Sequence, residues 1–190
     1  MKSRNAPDNT ARRGLSAFMF NQHLSLTNFY FNEIRTIAMK PIAIGADDAA
    51  WSLRDILTRY LDSLNIPWVD FSSDKNQDNT IYPDVAHAVA VSVKEGTHER
   101  GILLCGTGIG MSIVANKVTG VRAAQCHDTY SAQRARKSNN AQIIALGARV
   151  IGPELAKEVV GAWLDAEFEG GGSTSKVEKI GYYEHQESAR

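Results

Sequence analysis

The chain reads as an α/β protein: a three-layer α/β/α, doubly wound domain with a parallel sheet of about five strands. Three observations predict this. Short apolar runs alternate with segments of helical periodicity from Ile42 to Leu164. Two of the runs, Ile102-Leu103-Leu104 and Ile143-Ile144-Ala145-Leu146, are continuously apolar, as strands buried on both faces are. One run passes into Cys105-Gly106-Thr107-Gly108-Ile109-Gly110, a glycine-rich turn between a strand and a helix, where open α/β sheets hold ligands.

Taken in order, Ile42-Ala43-Ile44 is the first strand and ends in Gly45-Ala46-Asp47-Asp48. Leu53, Ile56, Leu57, Tyr60, Leu61 and Leu64 share one helical face, an apolar stripe that reads as core, and Asn65-Ile66-Pro67 stops that helix. Trp68-Val69-Asp70-Phe71 is a second strand, and Ser72 to Thr80 a polar loop. A helix opened by Tyr82-Pro83-Asp84 carries Val85, Ala88, Val89 and Val93 and leads to the Cys105 strand. Val121 to Gln125 is a fourth strand, followed by Cys126-His127-Asp128 and a helix from Tyr130 to Lys137. After the Ile143–Leu146 strand, Gly152-Pro153 begins a helix with proline in its first turn. Glu169-Gly170-Gly171-Gly172-Ser173-Thr174-Ser175 reads as a flexible linker. The last helix, from Lys176 to Glu187, is too polar to bury much against its own domain and is expected on a partner subunit. Right-handed crossovers complete a Rossmann-like sheet. If the first and third strands are neighbours, Asp47 and Cys105 meet at the switch point.

Composition narrows the function classes. The 190 residues are 43% hydrophobic and 22% charged, with zero formal net charge. Neutrality argues against nucleic acid or an anionic membrane as main partner. No apolar run approaches the ~20 residues of a membrane helix. Cys105 and Cys126 form neither a disulfide framework nor a metal-spacing pattern, which fits a reducing cytoplasm. Residues 1–38 differ in character from the rest and are read as an N-terminal extension, either upstream of a start at Met39 or an arm packed on a partner. Residues 39–169 are then the main domain, and residues 170–190 the linker and an oligomerisation helix.

The glycine turn fails three familiar patterns. A dinucleotide fingerprint needs glycine where Met111 stands, and a phosphate loop needs lysine before Ser112. A cysteine phosphatase needs arginine six residues after Cys105, again the place of Met111. What remains is a cysteine beside backbone N–H groups that favour negative charge. The bland alternative is a buried cysteine on a tight turn.

The residues quoted so far, together with Ala115-Asn116-Lys117, Gly120-Val121-Arg122-Ala123, Tyr130-Ser131-Ala132, Asn139-Asn140 and Gly147-Ala148-Arg149, resemble the ribose-5-phosphate isomerase B and galactose-6-phosphate isomerase family. The resemblance runs from about Met39 to Glu184. It implies aldose–ketose exchange of a sugar phosphate through an enediolate, without metal or cofactor, in homodimers or tetramers whose active sites are shared between subunits. It makes Cys105 the base, a role that oriented N–H dipoles assist. Gly106, Gly108 and Gly110 would cradle the enediolate oxygen, each aimed donor being worth roughly 3–4 kcal/mol. Thr107 would bond the substrate oxygens and help move the hydroxyl proton, and Asp47 would hold a substrate hydroxyl. Tyr82 would wall the pocket, and Asp48 and Ser112 complete the contacts. Arg149 and Lys176 would hold the phosphate, and Asn139 would arrive from the neighbouring subunit.

Departures from the family pattern bear on substrate. The resemblance places a histidine where Asp48 stands, a ring-opening histidine where Ser138 stands, and two phosphate-binding arginines where Gly172 and Lys176 stand. Either another group, such as His127 acting as acid, opens the ring, or the substrate has no ring: a tetrose phosphorylated on its terminal hydroxyl cannot close a five-membered one. The stretches from Cys126 to Ala132 and from Ser138 to Gln142 are also similar to the erythrulose-4-phosphate isomerase branch. The alternative is a non-catalytic or regulatory sugar-phosphate-binding subunit. Four other features have bland readings: His127 as a loop histidine bonded to Asp128, His87 as a surface histidine, Cys126 as buried and inert, and Arg134, Arg136 and Lys137 as a solvated face. A second reading of that basic cluster is a field that attracts an anionic substrate.

Overall fold

The computed structural model describes residues 40–72 and 81–188. The extension and most of the Ser72–Thr80 loop lie outside the described residues. The strands are β1 (Ile42–Ala46), β2 (Trp68–Asp70), β3 (Gly101–Cys105), β4 (Ala123–Gln125) and β5 (Ile143–Gly147). The helices are α1 (Trp51–Ser63), α2 (Tyr82–Lys94), α3 (Ile109–Ala115), α4 (Thr129–Asn139), α5 (Pro153–Leu164) and α6 (Thr174–Ser188). All strand pairs are parallel, in the order β2-β1-β3-β5-β4. The first and third strands are therefore neighbours, and Asp47 and Cys105 both stand at the switch point.

Hydrophobic pattern sorts the strands. β1, β3 and β5 are buried along their whole length, as central strands between two helix layers must be. β2 and β4 have three residues each and are partly exposed, which suits sheet edges. Leu53, Leu57 and Leu61 bury one stripe of α1, while Val85, Val89 and Val93 do so for α2. Asn65, at φ 55°, turns the chain out of α1 before Pro67. Asp128 caps α4 by accepting the Ser131 N–H at 2.7 Å, and Asn140, at φ 49°, ends it. Among the described residues, no helix is long and apolar enough to cross a membrane.

Two sequence expectations are corrected. Arg134, Arg136 and Lys137 form neither an open basic face nor a free field. Arg136 is buried and pairs with Glu167 at 3.1 Å and with the Asn140 side chain at 2.6 Å. Arg134 and Lys137 both meet Glu169, at 3.5 and 3.1 Å. Glu167 and Glu169 come from the segment after α5, and Arg136 also meets Glu99 before β3 at 3.7 Å, all beyond the reach of helical periodicity. Arg100, likewise buried, donates to the Trp163, Leu164 and Ala166 carbonyls and so satisfies the end of α5. The expected flexible linker is instead tied down. The Glu169 N–H donates to the Lys137 carbonyl at 3.1 Å, and Gly171–Ser173 is a 3₁₀ turn that runs straight into α6. Positive φ at Gly170 and Gly171, 65° and 57°, permits that turn. On α6, Glu184 accepts the Gly120 N–H at 2.9 Å, while Ile180, Tyr182 and Tyr183 remain exposed.

Candidate active site

β3 carries its five buried residues up to Cys105, and the chain must then turn sharply into α3. Gly108 makes that turn at φ 78°, a left-handed conformation that a side chain resists. A Cβ on Gly108 would also lie 3.0 Å from the Leu146 backbone. Gly147 has the reciprocal constraint, since a Cβ there would fall 2.7 Å from the Thr107 backbone. The turn is thus pressed against the carboxyl end of β5, with no atom to spare between the two backbones.

This packing aims a peptide at sulfur. The Gly108 N–H donates to Cys105 Sγ at 3.0 Å, inside the buried part of the turn. Such a donor favours negative charge on its acceptor. The next N–H, of Ile109, donates to Thr107 Oγ1 at 3.3 Å. The expected oxyanion cradle is therefore engaged in part by its own loop, with one donor serving the thiol itself. Thr107 is exposed, and its hydroxyl, an acceptor for Ile109, keeps a proton it can donate.

Other predicted residues gather around the turn. Asp47 follows β1, accepts the Ala49 N–H at 3.1 Å, and so caps the 3₁₀ turn that contains the exposed Asp48. Burial pushes the Asp47 carboxyl above its ordinary range, Asp48 adds to this, and the Ala49 N–H and then Arg149 oppose it. Arg149 is thereby within electrostatic reach of Asp47. It also lies over the turn, since a Cβ on Gly106 would meet its Cδ at 3.5 Å and its Cζ at 3.6 Å. Tyr82 opens α2 and crosses Gly110, where a Cβ would fall 2.5 Å from the ring. The Ser112 hydroxyl turns away and donates to the Ala123 carbonyl at 3.2 Å.

Two predicted residues are not brought to the turn of their own chain. Asn139 ends α4 beside the start of β4, where Arg122 Nε donates to its carbonyl at 3.1 Å. Lys176 is exposed on α6, whose tie to Gly120 is likewise near the start of β4. Asn139 therefore belongs to the opposite end of the strands from Cys105. Ser138 receives a hydrogen bond from Arg134.

Sequence reading missed two supports, Gln125 and the true partner of His127. Gln125 Nε2 donates to the Thr107 carbonyl at 2.7 Å. His127 is not held by Asp128, whose carboxylate is taken by Ser131. Its Nε2 accepts the Gly147 N–H at 2.9 Å. Their one sequence signal was position, at the carboxyl end of a strand. Cys126 is buried, and burial pushes its thiol up to about 11, in keeping with the inert reading. His87 is exposed, as expected.

The chain belongs to the ribose/galactose isomerase family, whose model matches residues 42–180. It is 72% identical over 149 residues to a D-erythrulose-4-phosphate isomerase of Pectobacterium atrosepticum, covering 78% of this chain and 98% of that protein. It is 42% identical over 142 residues to the ribose-5-phosphate isomerase B of Escherichia coli, covering 75% and 95%. Among solved structures, a ribose-5-phosphate isomerase B from Clostridium thermocellum superposes with a TM-score of 0.73 at 42% identity, covering 77% of this chain and 98% of that one.

Two histidines, one buried and one half-buried beside the turn, give the fold a pH signature. Burial lowers the His127 pKa below 6.5, against the pull of Asp128, and burial followed by Lys40 lowers that of His98. Protonating His127 would also remove the lone pair that receives the Gly147 N–H. Between the lowered folded values and 6.5, the unfolded chain binds more protons than the folded one. Stability therefore rises with pH across this window and is lost as pH falls from about 6.5 through the folded values. Thermal unfolding should show Tm falling as buffer is taken from about pH 8 to about pH 5, and His127→Gln should reduce that slope. A slope unchanged in His127→Gln would remove His127 from the acid sensitivity.

Proposed function

We propose that this chain is an aldose–ketose isomerase acting on a four-carbon sugar 4-phosphate, with Cys105 as the base. The observation that carries the reading is the thiol at the carboxyl end of β3, bonded by the Gly108 N–H at 3.0 Å and flanked by Asp47 and Arg149. A base must take a proton from the carbon beside the substrate carbonyl. Cys105 Sγ takes it, and the electrons move onto the carbonyl oxygen to give an enediolate. Thr107 Oγ1 exchanges a proton with the substrate oxygens, and Cys105 Sγ, whose proton exchanges with solvent while the enediolate stands, delivers a proton to the adjacent carbon to complete the isomerisation. Arg149 holds the phosphate or a neighbouring oxygen, Asp47 fixes a hydroxyl, and Tyr82 limits the length of the pocket. An exposed α6 and the remote place of Asn139 support a homodimer in which the partner completes each site. In that reading the protein works in the reducing cytoplasm, where the thiol persists.

Two features support the four-carbon substrate. The identity is 72% with the D-erythrulose-4-phosphate isomerase and 42% with the E. coli ribose-5-phosphate isomerase B. Ser138 also offers no acid to open a furanose, and its hydroxyl already receives Arg134. An acyclic tetrulose phosphate needs no such step.

Cys105→Ser should lower kcat by at least ~100-fold while circular dichroism and Tm stay near those of the unsubstituted chain. Near-normal turnover in that variant would remove Cys105 from the mechanism. The substrate is tested separately by comparing kcat/KM for tetrulose 4-phosphate and ribose 5-phosphate in one buffer. The four-carbon substrate should win by at least ~100-fold, the scale of a missing positioned acid. A clear preference for ribose 5-phosphate would refute the acyclic assignment and leave the isomerase chemistry standing.

A further inference from the structure

The Thr107–Gly108 peptide is hydrogen-bonded at both ends. Its carbonyl accepts Gln125 Nε2 at 2.7 Å, and its N–H donates to Cys105 Sγ at 3.0 Å. No peptide bond among the described residues is cis, so the carbonyl and N–H of this unit point in opposite directions. Fixing one end therefore aims the other. We infer that Gln125 is a positioning residue for the isomerisation: it holds the Thr107–Gly108 peptide so that the Gly108 N–H stays on the Cys105 sulfur. The inference rests on the reading of Cys105 as base.

Three features of the fold make the arrangement a clamp and more than a surface contact. The turn has little room to retreat toward β5, because the Thr107 backbone fills the space a Cβ on Gly147 would need, 2.7 Å from it. Gly147 cannot retreat either, because its N–H is held by His127 Nε2 at 2.9 Å. Gln125 and His127 come from the same segment at the end of β4, the neighbour of β5. That one segment thus grips both the turn and the strand end it leans on. Without Gln125, the Thr107–Gly108 peptide loses the bond on its carbonyl, and Gly108 tolerates a tilt of that peptide better than any other residue type. Bonds in such a chain also polarise one another. A donor on the carbonyl strengthens the N–H as a donor to sulfur, most of all when the sulfur is negative.

Gln125→Met tests this, because methionine has similar length and no N–H to donate. Gln125 is exposed, so the substitution leaves the core untouched. Two readouts are taken in the full chain on a Cys126→Ser background, so that Cys105 is the remaining thiol. In the steady state, kcat should fall about tenfold, the weight of one hydrogen bond, with KM within about twofold. In an ultraviolet titration of the thiolate band, the midpoint of Cys105 should move to higher pH than on the parent background. A merely structural Gln125 would lower Tm and leave that midpoint alone. An unchanged midpoint together with unchanged kcat would overturn the inference, and so would a loss of kcat with no movement of the midpoint. The titration needs no substrate, so it is independent of whether Cys105 is the base. If Cys105→Ser retains turnover while the Gln125→Met midpoint still moves, the clamp stands and the role of the thiol falls. If the midpoint stays fixed while Cys105→Ser is inactive, the base stands and the clamp falls.

Discussion

The arrangement depends on a contact between two backbones. At Gly147, the end of β5 meets the back of the Thr107 peptide with no room for a methyl group. Strand register sets this contact, because Cys105 pairs with Gly147 across the β3–β5 ladder. The Ala148 N–H donates to the Cys105 carbonyl at 2.8 Å, and the Arg149 N–H to that of Gly106 at 3.0 Å. β5 therefore continues to pair with the chain as it leaves the strand, and it delivers the Arg149 side chain over the same turn. A short helix of seven residues then follows, and its first turn needs little dipole of its own to favour charge at sulfur, because one N–H is already in place.

The fold was largely legible, since each of its causes is local. Alternating apolar runs and helical stripes identified all five strands and the helices between them, and ends differed by a residue or two as caps and fraying dictate. Gln125 was placed in a strand and Asp128 before a helix by pattern alone, and both lie there. The linker misled because glycines permit order as readily as they permit freedom. Glu169 decides the matter through partners about thirty residues upstream, a span that no local pattern reports.

The site was legible where it is contiguous. Cys105 to Gly110 are neighbours in sequence, and their residue types alone define a thiol beside N–H donors. Asp47 and Tyr82 were reached through the resemblance and through the switch-point argument. What stayed hidden acts through space. The Gln125 amide reaches back eighteen residues to the Thr107 carbonyl, and His127 spans twenty residues to the Gly147 N–H. Asp128 drew attention as the obvious partner of His127 because it is adjacent, yet capping α4 is the better use of a carboxylate at that position. Arg136 carried the same trap, a cation on a polar-looking helix that folding turns inward.

The central claim is proton abstraction at this turn through an enediolate, and solvent isotope transfer tests it most directly. Tetrulose 4-phosphate is isomerised in deuterium oxide, and the aldose product is examined by proton NMR for deuterium on the carbon beside the carbonyl. The account predicts that the label enters there, and that it enters recovered ketose as well wherever the intermediate returns. Product carrying only the original hydrogen at that carbon would point to direct hydride transfer and contradict the assignment of Cys105 as the base.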